Sequence, residues 1–204
     1  FNIEGNYRQL KTSYLDLTAL LPNVLGNNLP KELGRLGTVD LNGTLNVTEN
    51  TVYVKSIVQT DLGLLETDID LKNTQNIQNA SYVGMLRGED FNMGRLLKVP
   101  ELENITFNVQ VDGSGVEPET LDTQVEGTIS SARYNKYTYQ GISVAGNLQN
   151  PNFDGRLTIT DPNANFTFNG LIDVSKEIHT YDFTAEIDHI DLGKLNFLQD
   201  TSAV

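Results

Sequence analysis

Ile105-Thr106-Phe107-Asn108-Val109-Gln110-Val111-Asp112 decides the fold class, because every odd position is apolar and every even one polar. Period two is the repeat of a strand whose side chains point alternately to opposite faces. The stretch therefore reads as a half-buried antiparallel strand, with one face on something apolar and the other in water. A parallel α/β sheet would show continuous apolar runs instead.

The same alternation recurs on both sides of it. Phe166, Phe168, Ile172 and Val174 face one way against Thr167, Asn169 and Asp173. Val39, Leu41, Leu45 and Val47 alternate around Gly43, and Leu65, Ile69 and Leu71 alternate against Glu66, Asp68 and Asp70. Near the end, Phe183, Ala185 and Ile187 alternate against Asp182, Thr184, Glu186 and Asp188. Phe1 and Ile3 already alternate with polar neighbours, as if the chain started inside a strand. Turn-forming residues separate the runs at Thr48-Glu49-Asn50, Asp112-Gly113-Ser114-Gly115, Gln149-Asn150-Pro151-Asn152 and Asp161-Pro162-Asn163-Ala164-Asn165.

An apolar-x-Gly-x-apolar phrase sits inside strands at Leu41 to Leu45, Val125 to Ile129, Val144 to Leu148, Phe153 to Leu157 and Phe168 to Ile172. Glycine weakens a strand interior, so its recurrence there points to bends or bulges that curl the sheet. Helical signal is confined to three regions. Within 7–36, Leu10, Tyr14, Leu17, Leu21 and Val24 fall at helical spacing, and Pro30 to Gly37 begins with proline and ends with glycine. Within 92–98 and 191–198 a second phrase recurs, Phe91-Asn92-Met93-Gly94-Arg95-Leu96 and Ile190-Asp191-Leu192-Gly193-Lys194-Leu195. Its Asx can cap a short helix after a strand, leaving the apolar side chains as a plug. A degenerate copy is Leu15-Asp16-Leu17-Thr18-Ala19-Leu20.

The expected architecture is mostly β: an elongated, curled, repeat-like antiparallel sheet with a few short helices. No composition break divides residues 1–204, which read as one continuous segment of a longer protein.

Composition removes whole function classes. Without Cys there is no disulfide scaffold, Cys-ligated zinc or thiol catalysis. Lys+Arg 14 against Asp+Glu 27 gives a net charge of -13, which argues against a nucleic-acid phosphate backbone or anionic lipid headgroups as electrostatic partners. No apolar window is long enough to span a bilayer.

Candidate chemistry is sparse. Glu186-Ile187-Asp188-His189-Ile190-Asp191 could be drawn as a metal cluster, but on a regular strand Glu186, Asp188 and Ile190 share a face while His189 points away. Asp68 and Asp70 share a face as glycosidase carboxylates would, yet period-two acids are ordinary on a solvated strand. Serines lack a nucleophile context, and phosphate-loop and EF-hand spacings are missing. Asn-x-Ser/Thr at Asn42, Asn46, Asn79, Asn104 and Asn165 arises by chance in a chain rich in Asn and Thr. The residues thus predict no catalytic centre, no metal site and no cofactor. An apolar stripe remains, whose partner is a second sheet, a helix or an apolar ligand.

The order Leu29-Pro30-Lys31-Glu32-Leu33, Gly37-Thr38-Val39-Asp40-Leu41-Asn42-Gly43, Thr60-Asp61-Leu62-Gly63 and Tyr82-Val83-Gly84, leading into Phe91-Asn92-Met93-Gly94-Arg95-Leu96-Leu97, resembles the AsmA-like/TamB translocation and assembly module family. The long versions of Bacteroidota-type bacteria are the nearest resemblance, over most of 12–198. It implies a β-taco, a long curled sheet whose concave face is an apolar groove. It also implies a periplasmic protein, anchored in the inner membrane by a helix outside this segment. The implied role is phospholipid movement to the outer membrane, with an older proposal of assembling outer-membrane proteins alongside an Omp85-type β-barrel partner.

On that resemblance the groove would be lined by Val39, Leu41, Leu45, Val47, Leu65, Ile69, Ile105, Phe107, Val109, Val111, Leu121, Val125, Ile129, Phe166, Phe168, Ile172, Val174, Phe183 and Ile187. Two rival expectations stand beside it: a closed β-sandwich adhesin or binding module, and a scaffold whose sheet edge templates client strands.

Overall fold

A computed structural model describes residues 2–16, 31–75, 80–115, 120–149, 152–173 and 180–198. They form one antiparallel sheet of 11 strands in strictly sequential order, open at both edges and curled. In chain order the strands are β1 Asn2–Ser13, β2 Thr38–Thr48, β3 Thr51–Thr60, β4 Gly63–Lys72, β5 Ser81–Asn92 and β6 Leu102–Ser114. They continue with β7 Asp122–Tyr134, β8 Tyr137–Gln149, β9 Asn152–Asp161, β10 Ala164–Asp173 and β11 Thr180–Ile190. A 3-10 helix, Lys31–Leu36, lies between β1 and β2, and α1, Met93–Leu97, lies between β5 and β6. The mostly β, curled antiparallel expectation holds.

Short turns fix the register. Thr48 Oγ1 accepts from Asn50 N at 3.3 Å and Thr51 N at 3.0 Å, closing the β2–β3 hairpin. Thr60 Oγ1 accepts from Leu62 N at 3.0 Å and donates to Gly63 O at 2.9 Å, closing β3–β4. Asn135 (φ 49°) and Lys136 (φ 64°) form the two-residue β7–β8 turn, whose paired positive φ values match the twist of the flanking strands.

Bulges interrupt the register in several strand pairs. Between Gly88 and Phe91 the extra residue is in β5, where Asp90 has φ 48°. Asp90 N donates to Thr106 Oγ1 at 3.1 Å, and Ser130 Oγ of β7 donates to Thr106 O at 3.2 Å. A second shift lies in β7 at Ser130, between the Thr106 and Phe107 pairings, and another in β11 at Asp188, where Phe166 pairs with Ile187 but Asn165 with His189. A bulge bends its strand and increases its twist, which adds to the curl of the sheet.

The inward glycines supply the rest of the curl. Gly146 and Gly155 are directly paired, and a Cβ on Gly155 would lie 2.5 Å from both Ala145 O and Gly146 Cα. Only residues without a Cβ allow β8 and β9 to approach this way. The curling expected from the glycine phrase is therefore present.

Three expectations change. Residues 7–13, included in a helical region, are strand, because Leu10, Lys11 and Thr12 pair with Leu41, Asp40 and Val39; only 14–16 turn helical before the described residues break off. Asp112 to Ser114, expected in a turn, still pair with Gln124 to Asp122. The bulge at Asp188 puts His189 on the face of Glu186, opposite to the regular-strand expectation. Even so, among the described residues no group of three or more His, Asp or Glu is placed to hold a metal ion.

Candidate functional site

Register shows which side chains share a face. One row runs Leu41, Val58, Leu65, Gly88, Phe107, Ile129, Ile142, Ile159, Phe166, Ile187 across β2 to β11. Another runs Val47, Val52, Leu71, Tyr82, Gly113, Thr123, Leu148, Phe153, Ile172, Tyr181. Every expected lining residue within a described strand lies on this one face. Leu121 precedes β7, outside any strand and half-buried, and Val174 lies outside the described residues. Among the paired positions of this face in the described residues, the single charged side chain is Asp161.

The opposite face carries the charge, including Asp40, Glu66, Asp68, Asp70, Asp112, Glu126 and Asp182. Lys55 Nζ meets Asp68 at 2.7 Å, Arg133 meets Glu103 at 2.9 Å and Arg87 meets Glu66 at 3.9 Å. Hydrogen bonds from Lys55 and Tyr53 hold the Asp68 carboxyl below its ordinary value, and the Asp68 hydrogen bond raises both Lys55 and Tyr53.

Burial shows that the sheet curls toward its apolar face. Phe107 is 8% exposed and Ile142 7%, whereas their neighbours Asn108 and Ser143 are exposed. A flat single layer leaves such side chains half-open; here Phe107 and Ile142 lie in one core cluster with Leu33, Leu36, Met93, Leu96 and Leu195 of the segments that fold over the sheet. At the two edges the shielding stops. Ile3 on β1 is 58% exposed, and Phe183 and Ile187 on β11 are 48% and 61% exposed.

Two zones divide the apolar face. Along one rim the chain covers itself. Leu33 and Leu36 of the 3-10 helix, Met93 and Leu96 of α1, and Leu195 pack with Val39, Leu62, Phe91, Ile105, Ala132, Tyr139 and Ala164 into one core. Asx caps set these plugs as the phrase implied: Asn92 Oδ1 accepts from Arg95 N at 2.8 Å and Asp191 Oδ1 from Lys194 N at 3.1 Å. Residues 191–198 are hydrogen-bonded turns, with no regular helix assigned. Beneath this rim Asp161 is buried, accepting from Tyr137 Oη at 2.5 Å, Gln140 N at 3.0 Å and Asn163 N at 2.8 Å. Burial and the adjoining carboxylate push the Tyr137 phenol up.

Beyond the plugs lies a strip that includes Leu45, Val54, Ile69, Val111, Val125 and Phe168, to which the plugs do not extend. Its small members, Gly43, Ser56, Gly84, Gly127, Gly146, Gly155 and Gly170, occupy the waist of the strands. The named side chains of this strip are aliphatic, aromatic or glycine, apart from Ser56. Val52, Val54, Val58, Leu86, Ile142, Val144, Leu157 and Ile159 share the face and were not expected there. Val144 and Leu157 stand in the glycine phrase, which was the signal that could have found them.

Fold and face together define a class: a single-layer, open, curled antiparallel sheet with one apolar and one acidic face. The chain matches no protein-family model, no curated protein and no solved structure. No helix among the described residues is long and apolar enough to cross a membrane.

Proposed function

We propose that this chain is a segment of an AsmA-like/TamB-type periplasmic bridge, and that its apolar strip holds phospholipid acyl chains between the inner and outer membranes. The observation that carries this reading is the apolar face, which runs through all 11 strands with Asp161 as its single charged side chain among the paired described positions, and is exposed at both edges. Ten inter-strand steps of about 4.8 Å make a path of about 48 Å. Each methylene moved from water into it gains about 0.8 kcal/mol. Inter-strand hydrogen bonds run along the path, between neighbouring strands. Spreading the two walls to admit a chain therefore breaks side-chain contacts, which the chain replaces, and no ladder hydrogen bonds. The acidic outer face repels anionic headgroups and directs them away from that side.

A sandwich adhesin loses ground because the described residues form one sheet, with no second sheet opposite. The scaffold reading draws on a specific feature, the β11 edge with its exposed inward Tyr181, Phe183 and Ile187. An Omp85-type β-barrel partner belongs to either of the two remaining readings. The test is lipid content by native mass spectrometry. Val109→Glu and Phe168→Glu should abolish co-purified phospholipid, while the outer-face changes Asn108→Glu and Asn169→Glu leave it intact. Lipid undiminished by both inward changes would refute the groove, and binding of extended peptides in its place would favour the scaffold.

A further inference from the structure

The three rim plugs share a sequence that the fold brings into line: Leu33-Gly34-Arg35-Leu36, Met93-Gly94-Arg95-Leu96 and Leu192-Gly193-Lys194-Leu195. In each, the closing leucine packs into the core, with Leu36 9% and Leu195 3% exposed. Each glycine therefore precedes a cation set at the rim directly above the apolar face. In a chain of net charge -13 this is an unusual place to gather positive charge.

Two of the plugs enclose a depression of about 710 Å³ between the 3-10 helix and α1. Arg35, Arg95 and Lys98 line it, together with Asp61 and Glu103. The two acids are engaged elsewhere: Asp61 Oδ2 accepts from Thr38 N at 3.3 Å, and Glu103 pairs with Arg133 at 2.9 Å. Arg35 is partly committed, donating to Leu96 O and lying 3.5 Å from Glu32. Arg95 and Lys98 are exposed. Leu102 forms part of the lining and also packs against the core beneath the plugs, so the depression adjoins the apolar face.

We infer that this rim depression binds the phosphate of an anionic lipid headgroup through Arg95 and Lys98, with Arg35 in support, while the tails lie on the apolar face. The inference rests on the acyl-chain reading above and adds the class of amphiphile. A headgroup placed here meets cations at the water boundary, whereas the outer face offers it acids. Lys194 of the third plug is paired with Asp191 at 3.3 Å and serves as the internal control.

The experiment measures binding of fluorescent phosphatidic acid and of the matching diacylglycerol, which has the same tails and no phosphate. Arg95→Gln and Lys98→Gln should each weaken phosphatidic acid about fivefold and leave diacylglycerol unchanged, the effect expected for one cation near an anionic headgroup. Lys194→Gln should change neither. Equal weakening of both probes, or of neither, overturns the headgroup site while leaving the groove standing. Wild-type protein that binds neither probe overturns the groove and the headgroup site together. Inorganic phosphate bound by the wild-type protein as tightly as phosphatidic acid, and weakened equally by Arg95→Gln, would make the depression a free-anion site and overturn the lipid assignment.

Discussion

Replacing Gly155 by alanine tests whether the curl depends on bare backbone at the waist of the strands. The added methyl would lie 2.5 Å from Ala145 O, 2.5 Å from Gly146 Cα and 3.0 Å from Phe153 Cζ. The first two are backbone atoms of the paired strand β8 and cannot swing aside as a flexible side chain would. β8 and β9 must separate locally, which costs about 2 kcal/mol on the scale of overpacked interiors. For a chain of this size that lowers Tm by about 4–8 °C. Gly5 is the matched control, since an added Cβ there meets nothing within 4 Å. Gly5→Ala should be neutral or stabilising by up to about 1 kcal/mol, because alanine has less conformational freedom to lose. Urea denaturation and thermal melts of the two variants read both effects. If Gly155→Ala proves as harmless as Gly5→Ala, the tight approach of β8 and β9 does not underlie the curl.

Other perturbations probe the remaining parts. Asp161→Ala should cost about 1–2 kcal/mol, since it leaves the partly buried donors of Tyr137 and Asn163 and the Gln140 N–H without their acceptor; urea midpoints measure it. Asn92→Ala removes the α1 cap and should cost about 1 kcal/mol by the same measurement, with Asn92→Asp restoring most of it. The Lys55–Asp68 pair carries a pH signature. Because the folded carboxyl sits below its ordinary 3.8, its contribution is present above that value and fades as acid protonates Asp68 in the folded state. A double-mutant cycle of Lys55→Met and Asp68→Asn should therefore show a small coupling at neutral pH and none in strong acid, small because both side chains are largely solvated.

Alternation made the strands legible, since a half-buried strand writes its two faces into the sequence. The apolar face was legible for the same reason, residue by residue from Val39 to Ile187. What stayed hidden depends on partners. The bulges at Asp90 and Asp188 exist only as a count of residues against the neighbouring strand, so the face of His189 was assigned the wrong way. Leu10 and Tyr14 match a helical period by spacing, but pairing of Leu10 with Leu41 decides for strand. β3 was missed as lining because Ser56 interrupts its valines; the serine is buried, donating to Asn42 O at 3.4 Å. The plug role of 31–36 required seeing Leu36 against the core, whereas the Asx caps of the other two plugs could be read directly.

The central claim concerns what occupies the apolar strip, and neighbouring side chains on opposite faces provide the most direct measurement. Photo-crosslinking residues placed at Val125 and Phe168, and at Gln124 and Asn169 beside them, would be activated in the presence of radiolabelled phospholipid. The account predicts lipid adducts at Val125 and Phe168 and none at Gln124 or Asn169. Adducts at all four positions alike, or at neither inward position, would contradict it.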